Sequence, residues 1–173
     1  PADRSEDAAW LPPDLGDAGW RLREDWIHSV LADGDRARPH LGVRMPLYPP
    51  ELTEALSAFF AASSGTPYER DTPTANASAE LSIAGRKLAG TDHAACVRCH
   101  SLGARPSPFP GSDLAHFPER LRREWFDAFV TSPTRLRPGT TMPGLDAGGE
   151  SVAHDILDGD LALQAQALWA WCE

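Results

Sequence analysis

Two of the three cysteines in this 173-residue chain, Cys96 and Cys99, are separated by two residues and followed directly by His100. A Cys-x-x-Cys pair can be half of a zinc site or a redox dithiol. A zinc site requires a second pair of ligands at suitable spacing, and Cys172 is the only other cysteine. A redox dithiol of the usual kind requires a preceding strand, whereas residues 79–90 have the apolar spacing of a helix.

The histidine directly after the second cysteine indicates a different site. Cys-x-x-Cys-His is the attachment signature of haem c, whose vinyl groups form thioether bonds with the two thiols. The sequence therefore predicts one covalent haem c on Cys96 and Cys99, with His100 as the proximal iron ligand. Haem c is attached outside the cytoplasm, so we expect a periplasmic or otherwise extracytoplasmic protein. Cys172 is interpreted as a small buried hydrophobic residue, with an intermolecular disulfide as the alternative.

Composition and charge exclude several classes of partner. The net charge is −9 and no Lys/Arg-rich run occurs, so we expect no nucleic acid partner. No apolar stretch approaches the roughly 18 residues that a membrane span requires, so we expect no span in this chain. No signal peptide is visible at Pro1, and the last residues stop while a helical pattern continues, which favours a fragment or a processed domain.

Apolar periodicity predicts an all-α fold, because no segment has the alternation of a strand. Gly, Pro and Ser clusters separate the helical stretches. The predicted helices cover Leu22–Leu31, Leu52–Phe60, a stretch from Ser78 into the cysteine motif, Leu121–Val130, a short piece Val152–Leu157, and a closing helix over residues 161–171.

Two parts of the sequence resemble each other. Residues 22–26 (Leu-Arg-Glu-Asp-Trp) align with residues 121–125 (Leu-Arg-Arg-Glu-Trp), and each segment precedes an Arg-x-Arg-Pro loop, a Met-Pro pair and another amphipathic helix. Only the second copy follows a Cys-x-x-Cys-His motif. The repeat predicts a degenerate half-module without haem over residues 1–64, a linker over 65–78 and a haem c-binding module over 79–173. Coincidence between two Trp-containing helices is the alternative.

Met142 is the best candidate for the second iron ligand. It follows the haem motif on a loop between Pro138 and Pro143, and a thioether ligand raises the potential relative to a second imidazole. Both methionines of the chain lie in Met-Pro loops rather than on apolar helix faces, which argues against simple core filling. The rival ligands are His93, His116, His154 and Met45, and an open distal position is the remaining alternative.

Other side chains could line the haem pocket. Trp125, Phe126 and Phe129 are expected to form its wall and part of the core. Arg135, Arg137 and Arg105 could pair with the haem propionates, or could simply be solvated surface residues.

Three motifs together resemble the class I cytochrome c family. They are Gly85-Arg86-Lys87-Leu88, the Cys-x-x-Cys-His motif with Gly103 three residues later, and Arg137-Pro138-Gly139-Thr140-x-Met142-Pro143. The resemblance is closest to haem c modules that occur in tandem in large multidomain periplasmic bacterial proteins. It covers roughly residues 79–173, and residues 14–62 resemble the rear half of a second module.

The resemblance implies haem attachment to Cys96 and Cys99, with His100 and Met142 as axial ligands. The first copy departs from the family pattern because it has no attachment motif and its loop before Met45 is longer. The resemblance therefore leaves open whether Met45 contacts an iron.

The sequence predicts that the chain transfers single electrons within a larger periplasmic electron-transfer system. We expect that the chain itself does not catalyse the formation or cleavage of a bond. The expected partners are redox proteins, such as a larger oxidoreductase or another cytochrome. One alternative is a haem enzyme or sensor with an open or displaceable sixth ligand, in which His116 and Arg105 could take part. Another is a docking subunit whose haem-free half binds a partner.

Overall fold

A computed structural model describes residues 15–37, 44–65, 78–103, 107 and 111–173. Within these ranges β pairing is limited to two isolated bridges, so the predicted all-α class is confirmed. The α-helices are α1 Ala18–Arg21, α2 Glu24–Ala32, α3 Pro50–Ser63, α4 Ala79–Ala89, α5 Phe117–Arg120, α6 Arg123–Thr131, α7 Pro133–Leu136 and α8 Leu161–Cys172. Short 3₁₀ turns span Cys96–Arg98, Leu114–His116 and Leu157–Gly159.

Side-chain caps start two helices where the sequence predicts them. The Ser78 hydroxyl accepts a hydrogen bond from the Leu81 amide at 3.2 Å at the start of α4. The Asp160 carboxylate accepts hydrogen bonds from the amides of Ala162 and Leu163, both at 2.9 Å, at the start of α8. Each cap satisfies amide groups that have no partner within the helix, which fixes the first turn.

The short helix predicted over Val152–Leu157 is wrong. Leu157 and Asp158 have φ angles of 51° and 54°. This left-handed backbone conformation cannot continue a right-handed helix. The chain instead forms turns before a 3₁₀ turn at Leu157–Gly159, and α8 begins after Asp160.

Helices α4 and α8 cross in direct backbone contact. A Cβ atom built on Gly85 of α4 would lie 1.9 Å from the carbonyl oxygen of Ala167 in α8. Leu88 and Ala89, at the end of α4, are fully buried. The crossing therefore requires a residue without a side chain, and it fixes the direction in which the chain enters the cysteine motif.

The main core lies between α4, α5, α6 and α8. Its buried members include Leu88, Phe117, Leu121, Trp125, Phe126, Val130, Leu168 and Trp169. Gln164 of α8 is fully buried and connects α8 to the preceding loop. Its amide accepts a hydrogen bond from the Ser151 hydroxyl at 2.6 Å and donates to the carbonyls of Ala153 and Ile156 at 2.8 and 2.7 Å.

The two copies of the sequence repeat meet in a reciprocal backbone pairing. Leu22 and Leu121 form an isolated antiparallel bridge. The Arg23 amide donates to the Arg120 carbonyl at 2.8 Å, and the Arg122 amide donates to the Arg21 carbonyl at 2.9 Å. On each side a four-residue helix precedes the bridge and a nine-residue helix follows it. The α1–α2 and α5–α6 pairs are thus related by an approximate two-fold rotation.

A polar network also joins the two copies. The Arg122 guanidinium, which is buried, donates to the Leu22 carbonyl at 3.1 Å. Arg137 and Arg21 both form ion pairs with Asp17.

None of the helices in the described ranges combines the length and the apolar character that crossing a membrane requires.

The Gly85→Ala substitution tests the α4–α8 crossing. Alanine stabilises a helix by about 1 kcal/mol relative to glycine, so helix propensity alone would make the variant more stable than the parent chain. We expect the opposite sign, a loss of about 1–3 kcal/mol in the free energy of unfolding, because the new methyl group meets the Ala167 carbonyl.

Urea denaturation measures this difference, and Arg86→Ala, at an exposed position of the same helix, is the control. A Gly85→Ala variant at least as stable as the parent chain would contradict the close crossing.

Candidate functional site

The Cys-x-x-Cys-His segment forms a tight turn shortly after α4. The amides of Cys99 and His100 both donate to the Cys96 carbonyl, at 3.1 and 3.0 Å. Ala95, just before the turn, has a φ angle of 55°, so the backbone reverses abruptly between α4 and the motif. The turn therefore keeps both cysteines and the histidine within a short stretch at one end of α4.

The His100 ring is oriented by a backbone carbonyl. Its Nδ1 atom lies 2.8 Å from the carbonyl oxygen of Ser112. Because a carbonyl oxygen only accepts, Nδ1 carries the proton in this contact, and Nε2 keeps a lone pair for a metal ion. An imidazole that binds a metal commonly donates its other N–H in this way.

Gly111 makes the approach of this carbonyl possible. A Cβ atom at residue 111 would lie 2.3 Å from the Cys99 carbonyl oxygen and 2.9 Å from Nδ1 of His100. A larger residue would therefore push the loop away from the imidazole.

Aromatic rings connect His100 to the core. The His100 and Phe117 rings meet edge to face at 6.1 Å between centroids, and Phe117 meets Phe126 at the same distance. Phe126 in turn meets Trp169 of α8 at 5.1 Å. Each contact is worth about 0.5–1.5 kcal/mol beyond the burial of the rings, so the imidazole is packed against a rigid cluster.

A cavity of about 770 Å³ lies next to His100 and extends between the two copies of the repeat. This volume falls within the range of about 300–1,000 Å³ typical of cofactor sites. The second copy contributes His100, Phe117, Leu121, Trp125, Phe126, Phe129, Val130 and Met142. The first copy contributes Trp26, Ile27, Val30, Leu31, Met45 and Phe60. Charged residues also line the cavity, namely Arg21, Asp35, Arg36, Arg44, Arg120 and Arg137. The wall therefore combines a mainly apolar surface with several arginines, and all three predicted wall aromatics belong to it.

The structure brings His100 and Met142 to the same cavity. Met142 is partly buried and packs against the core. Its amide donates to the Thr140 hydroxyl at 3.3 Å, and the Thr140 amide donates to the Arg137 carbonyl at 3.1 Å. Gly144, just beyond, lies so close to α6 that a Cβ atom there would be 2.4 Å from the Thr131 carbonyl oxygen. The methionine loop is therefore held against the end of α6.

The histidines considered as rival ligands do not line this cavity. His93 pairs with Asp155, with 3.5 Å between Nε2 and the carboxylate. His116 pairs with Glu119 at 3.3 Å and is exposed, and His154 is also exposed. Met45 is the one proposed rival that the structure places on the cavity wall.

The basic residues of the site differ in part from those that the sequence suggested. Arg137 lines the cavity, Arg135 is exposed and does not line it, and Arg105 falls outside the described residues. Sequence reasoning missed Arg120, which is only 6% exposed. Its guanidinium lies 5.8 Å from the Trp26 ring and 5.3 Å from the Phe117 ring.

The repeat contained a signal for Arg120. Arg120 and Arg21 each stand directly before the aligned leucines of the two copies, and both line the cavity. Because an arginine occurs at the same position in both copies, Arg120 could have been named as a candidate site residue from the sequence alone.

The three cysteines have different surroundings. Cys99 is exposed and Cys96 is partly buried, and burial raises the pKa of the Cys96 thiol to about 11. Cys172 is buried in α8, where burial raises the pKa of its thiol to about 12 and negative charge at Cys96 adds to the shift. This placement agrees with the interpretation of Cys172 as a small core residue.

In the part of the chain that the structure describes, no group of three or more His, Cys, Asp or Glu side chains could hold a metal ion. A haem iron bound by one imidazole and one thioether does not require such a group. The donors that the site does provide, two thiols beside an oriented imidazole and an apolar cavity with a methionine on its wall, fit haem c.

Comparisons with known protein families, with curated proteins and with solved structures found no match. The resemblance to class I cytochromes c therefore stays a prediction from the motifs.

Counting accessible thiols tests the environment of each cysteine. In the chain with haem attached, we expect no alkylation of the native protein at a pH of about 8, because Cys96 and Cys99 are thioethers and the Cys172 thiol is buried and protonated.

After denaturation, mass spectrometry should detect a single modified residue, Cys172. The haem-free chain, denatured and reduced, supplies the control with three modified residues, which is the number of cysteines in the sequence. Two or three modified residues in the denatured haem-loaded chain would refute the assignment of the thioethers.

Proposed function

We propose that this chain is a one-electron carrier that uses a covalently bound haem c with His100 and Met142 as axial ligands. The observation that carries the proposal is that His100 and Met142 both line one mainly apolar cavity. His100 directly follows Cys99 in the sequence, which supports attachment of the haem to the motif. The His100–Ser112 hydrogen bond supports it, because this contact leaves Nε2 available.

When bound, haem supplies the one-electron chemistry through its iron. Cys96 and Cys99 would tether it at the end of α4, and His100 would hold the proximal position. Met142 would provide the thioether on the other axial position, which favours the reduced iron and raises the potential. The chain itself forms and breaks no bond with a substrate.

The cavity wall would set the environment of the redox centre. Apolar side chains such as Trp125 and Phe129, which stack at 4.5 Å between centroids, exclude water from the face of the site. Exclusion of water disfavours the more highly charged oxidation state. Arg120 and Arg137 are the wall residues of the second copy suited to pair with the propionates, because guanidinium groups bind carboxylates in a bidentate manner.

The setting that we propose is a periplasmic or otherwise extracytoplasmic electron-transfer system. The net charge of −9 supports docking to redox partners with a basic surface, since opposite charges accelerate encounter. A larger oxidoreductase and another cytochrome are the partners that fit such a carrier.

Substitution of the two methionines tests the axial ligands. We expect the ferric protein to be low-spin, with a weak sulfur-to-iron charge-transfer band. Met142→Ala should abolish that band and lower the midpoint potential by part of the roughly 0.8 V range that axial ligands control. Met45→Ala is the matched control, because Met45 also lines the cavity, and it should leave both properties unchanged.

Loss of the band in Met45→Ala alone would assign the ligand to the first copy. A parent protein that is high-spin and binds carbon monoxide readily would instead support a haem enzyme or sensor. Visible absorption and redox titration distinguish these outcomes.

A further inference from the structure

The loop that carries Met142, residues 137–143, is held at its far end by the second copy itself. The Leu145 amide donates to the Val130 carbonyl at 2.9 Å, and the Asp146 amide donates to the Thr131 carbonyl at 3.1 Å. Both carbonyls belong to the last residues of α6. The near end of the loop begins at Arg137, whose side chain instead contacts the first copy.

Asp17 of the first copy binds the Arg137 side chain. Its Oδ1 atom accepts a hydrogen bond from Nη2 of Arg137 at 2.5 Å and also lies 3.5 Å from Nη1 of Arg21. The side chains of Asp17 and Arg137 are 19% and 31% exposed, so salt screens this ion pair less than a pair on the open surface. Because Arg137 and Arg21 both line the cavity, one carboxylate holds two guanidinium groups at its wall.

The backbone that presents Asp17 is fixed. The Asp17 carbonyl accepts hydrogen bonds from the amides of Trp20 and Arg21 at 3.0 and 2.8 Å. Gly19 lies so close to α3 that a Cβ atom there would be 2.1 Å from the Phe60 carbonyl oxygen. The Asp17 carboxylate therefore projects from a short helix that is anchored on α3.

The two copies differ at this position. In the register that aligns Leu22 with Leu121, Asp17 aligns with His116. His116 is exposed and pairs with Glu119 of its own copy. The carboxylate thus occurs in the copy without the attachment motif, and it binds the loop of the copy that has one.

Two hydrogen bonds connect Arg137 to Met142. The Arg137 carbonyl accepts from the Thr140 amide at 3.1 Å, and the Thr140 hydroxyl accepts from the Met142 amide at 3.3 Å. Without the charge of Asp17, the guanidinium groups of Arg137 and Arg21 would repel each other. A shift of Arg137 would then move the loop, and Met142 with it.

We propose that Asp17 is a positioning residue for Met142. Its carboxylate holds Arg137, and through Arg137 the loop, in the arrangement that presents the thioether to the haem iron. The copy without the attachment motif therefore determines how firmly the sixth ligand of the other copy is held. This inference rests on the proposed function, because it requires Met142 to be an axial ligand.

Titration of the ferric, haem-loaded chain with imidazole tests the inference. Imidazole binds the iron only when Met142 has left it, so its apparent affinity rises with the population of the open state. We expect Asp17→Asn, which removes the charge and keeps the size of the side chain, to tighten imidazole binding by about three- to tenfold. Asp33→Asn is the control, because it removes an exposed carboxylate of the same copy that does not line the cavity, and it should change nothing.

Two further variants show whether Asp17 acts through the loop. Arg137→Gln removes the same contact from the other side, so it should also tighten imidazole binding, and Asp17→Asn should add little to it. In Met142→Ala no methionine competes with imidazole. Asp17→Asn should therefore leave the imidazole affinity of Met142→Ala unchanged.

Three results would overturn the inference. They are the parent's imidazole affinity in Asp17→Asn, the parent's affinity in Arg137→Gln (a result that does not require Asp17→Asn to fold), or an equal gain from Asp17→Asn in Met142→Ala. The sulfur-to-iron band of the parent is read at the start of each titration. Its presence without an effect of Asp17→Asn refutes this inference alone, whereas its absence refutes the proposed function.

Discussion

The contact between His100 Nδ1 and the Ser112 carbonyl is the interaction on which the site depends. It fixes the orientation and the protonated nitrogen of the imidazole, and it exists only because Gly111 has no side chain to separate the loop from Cys99. The Phe117–Phe126–Trp169 ring contacts then join that imidazole to α8. In the proposed electron carrier, an imidazole held from two sides would change position little between the two oxidation states, which favours fast electron transfer.

The reciprocal pairing at Leu22 and Leu121 gives the cavity its shape. Because the Arg23 and Arg122 amides bind carbonyls of the opposite copy, α1–α2 and α5–α6 face each other across an approximate two-fold axis. Each copy can then contribute a tryptophan and a methionine to one cavity. Both copies therefore form the wall of the candidate site, although only the second bears the attachment motif.

Local sequence predicted the helices and several of their boundaries. Apolar spacing located α2, α3, α4, α6 and α8, and the capping residues Ser78 and Asp160 marked two starts. The break between α5 and α6 could not be predicted, because Leu121 is extended only through its pairing with Leu22, which is distant in the sequence. The failed helix at Val152–Leu157 has a similar cause, since buried Gln164 binds the carbonyls of Ala153 and Ile156 from α8. For the site, the motif identified Cys96, Cys99 and His100. The repeat offered a signal for Arg120, but its contacts with the Trp26 and Phe117 rings depend on the three-dimensional packing.

Peptide mapping by mass spectrometry of the protein matured in an extracytoplasmic compartment tests the central claim most directly. The account predicts a mass increase of one haem, located on the peptide that contains Cys96 and Cys99, together with a Soret absorption band. A matured chain with the mass of its amino acids alone and without Soret absorption would contradict it.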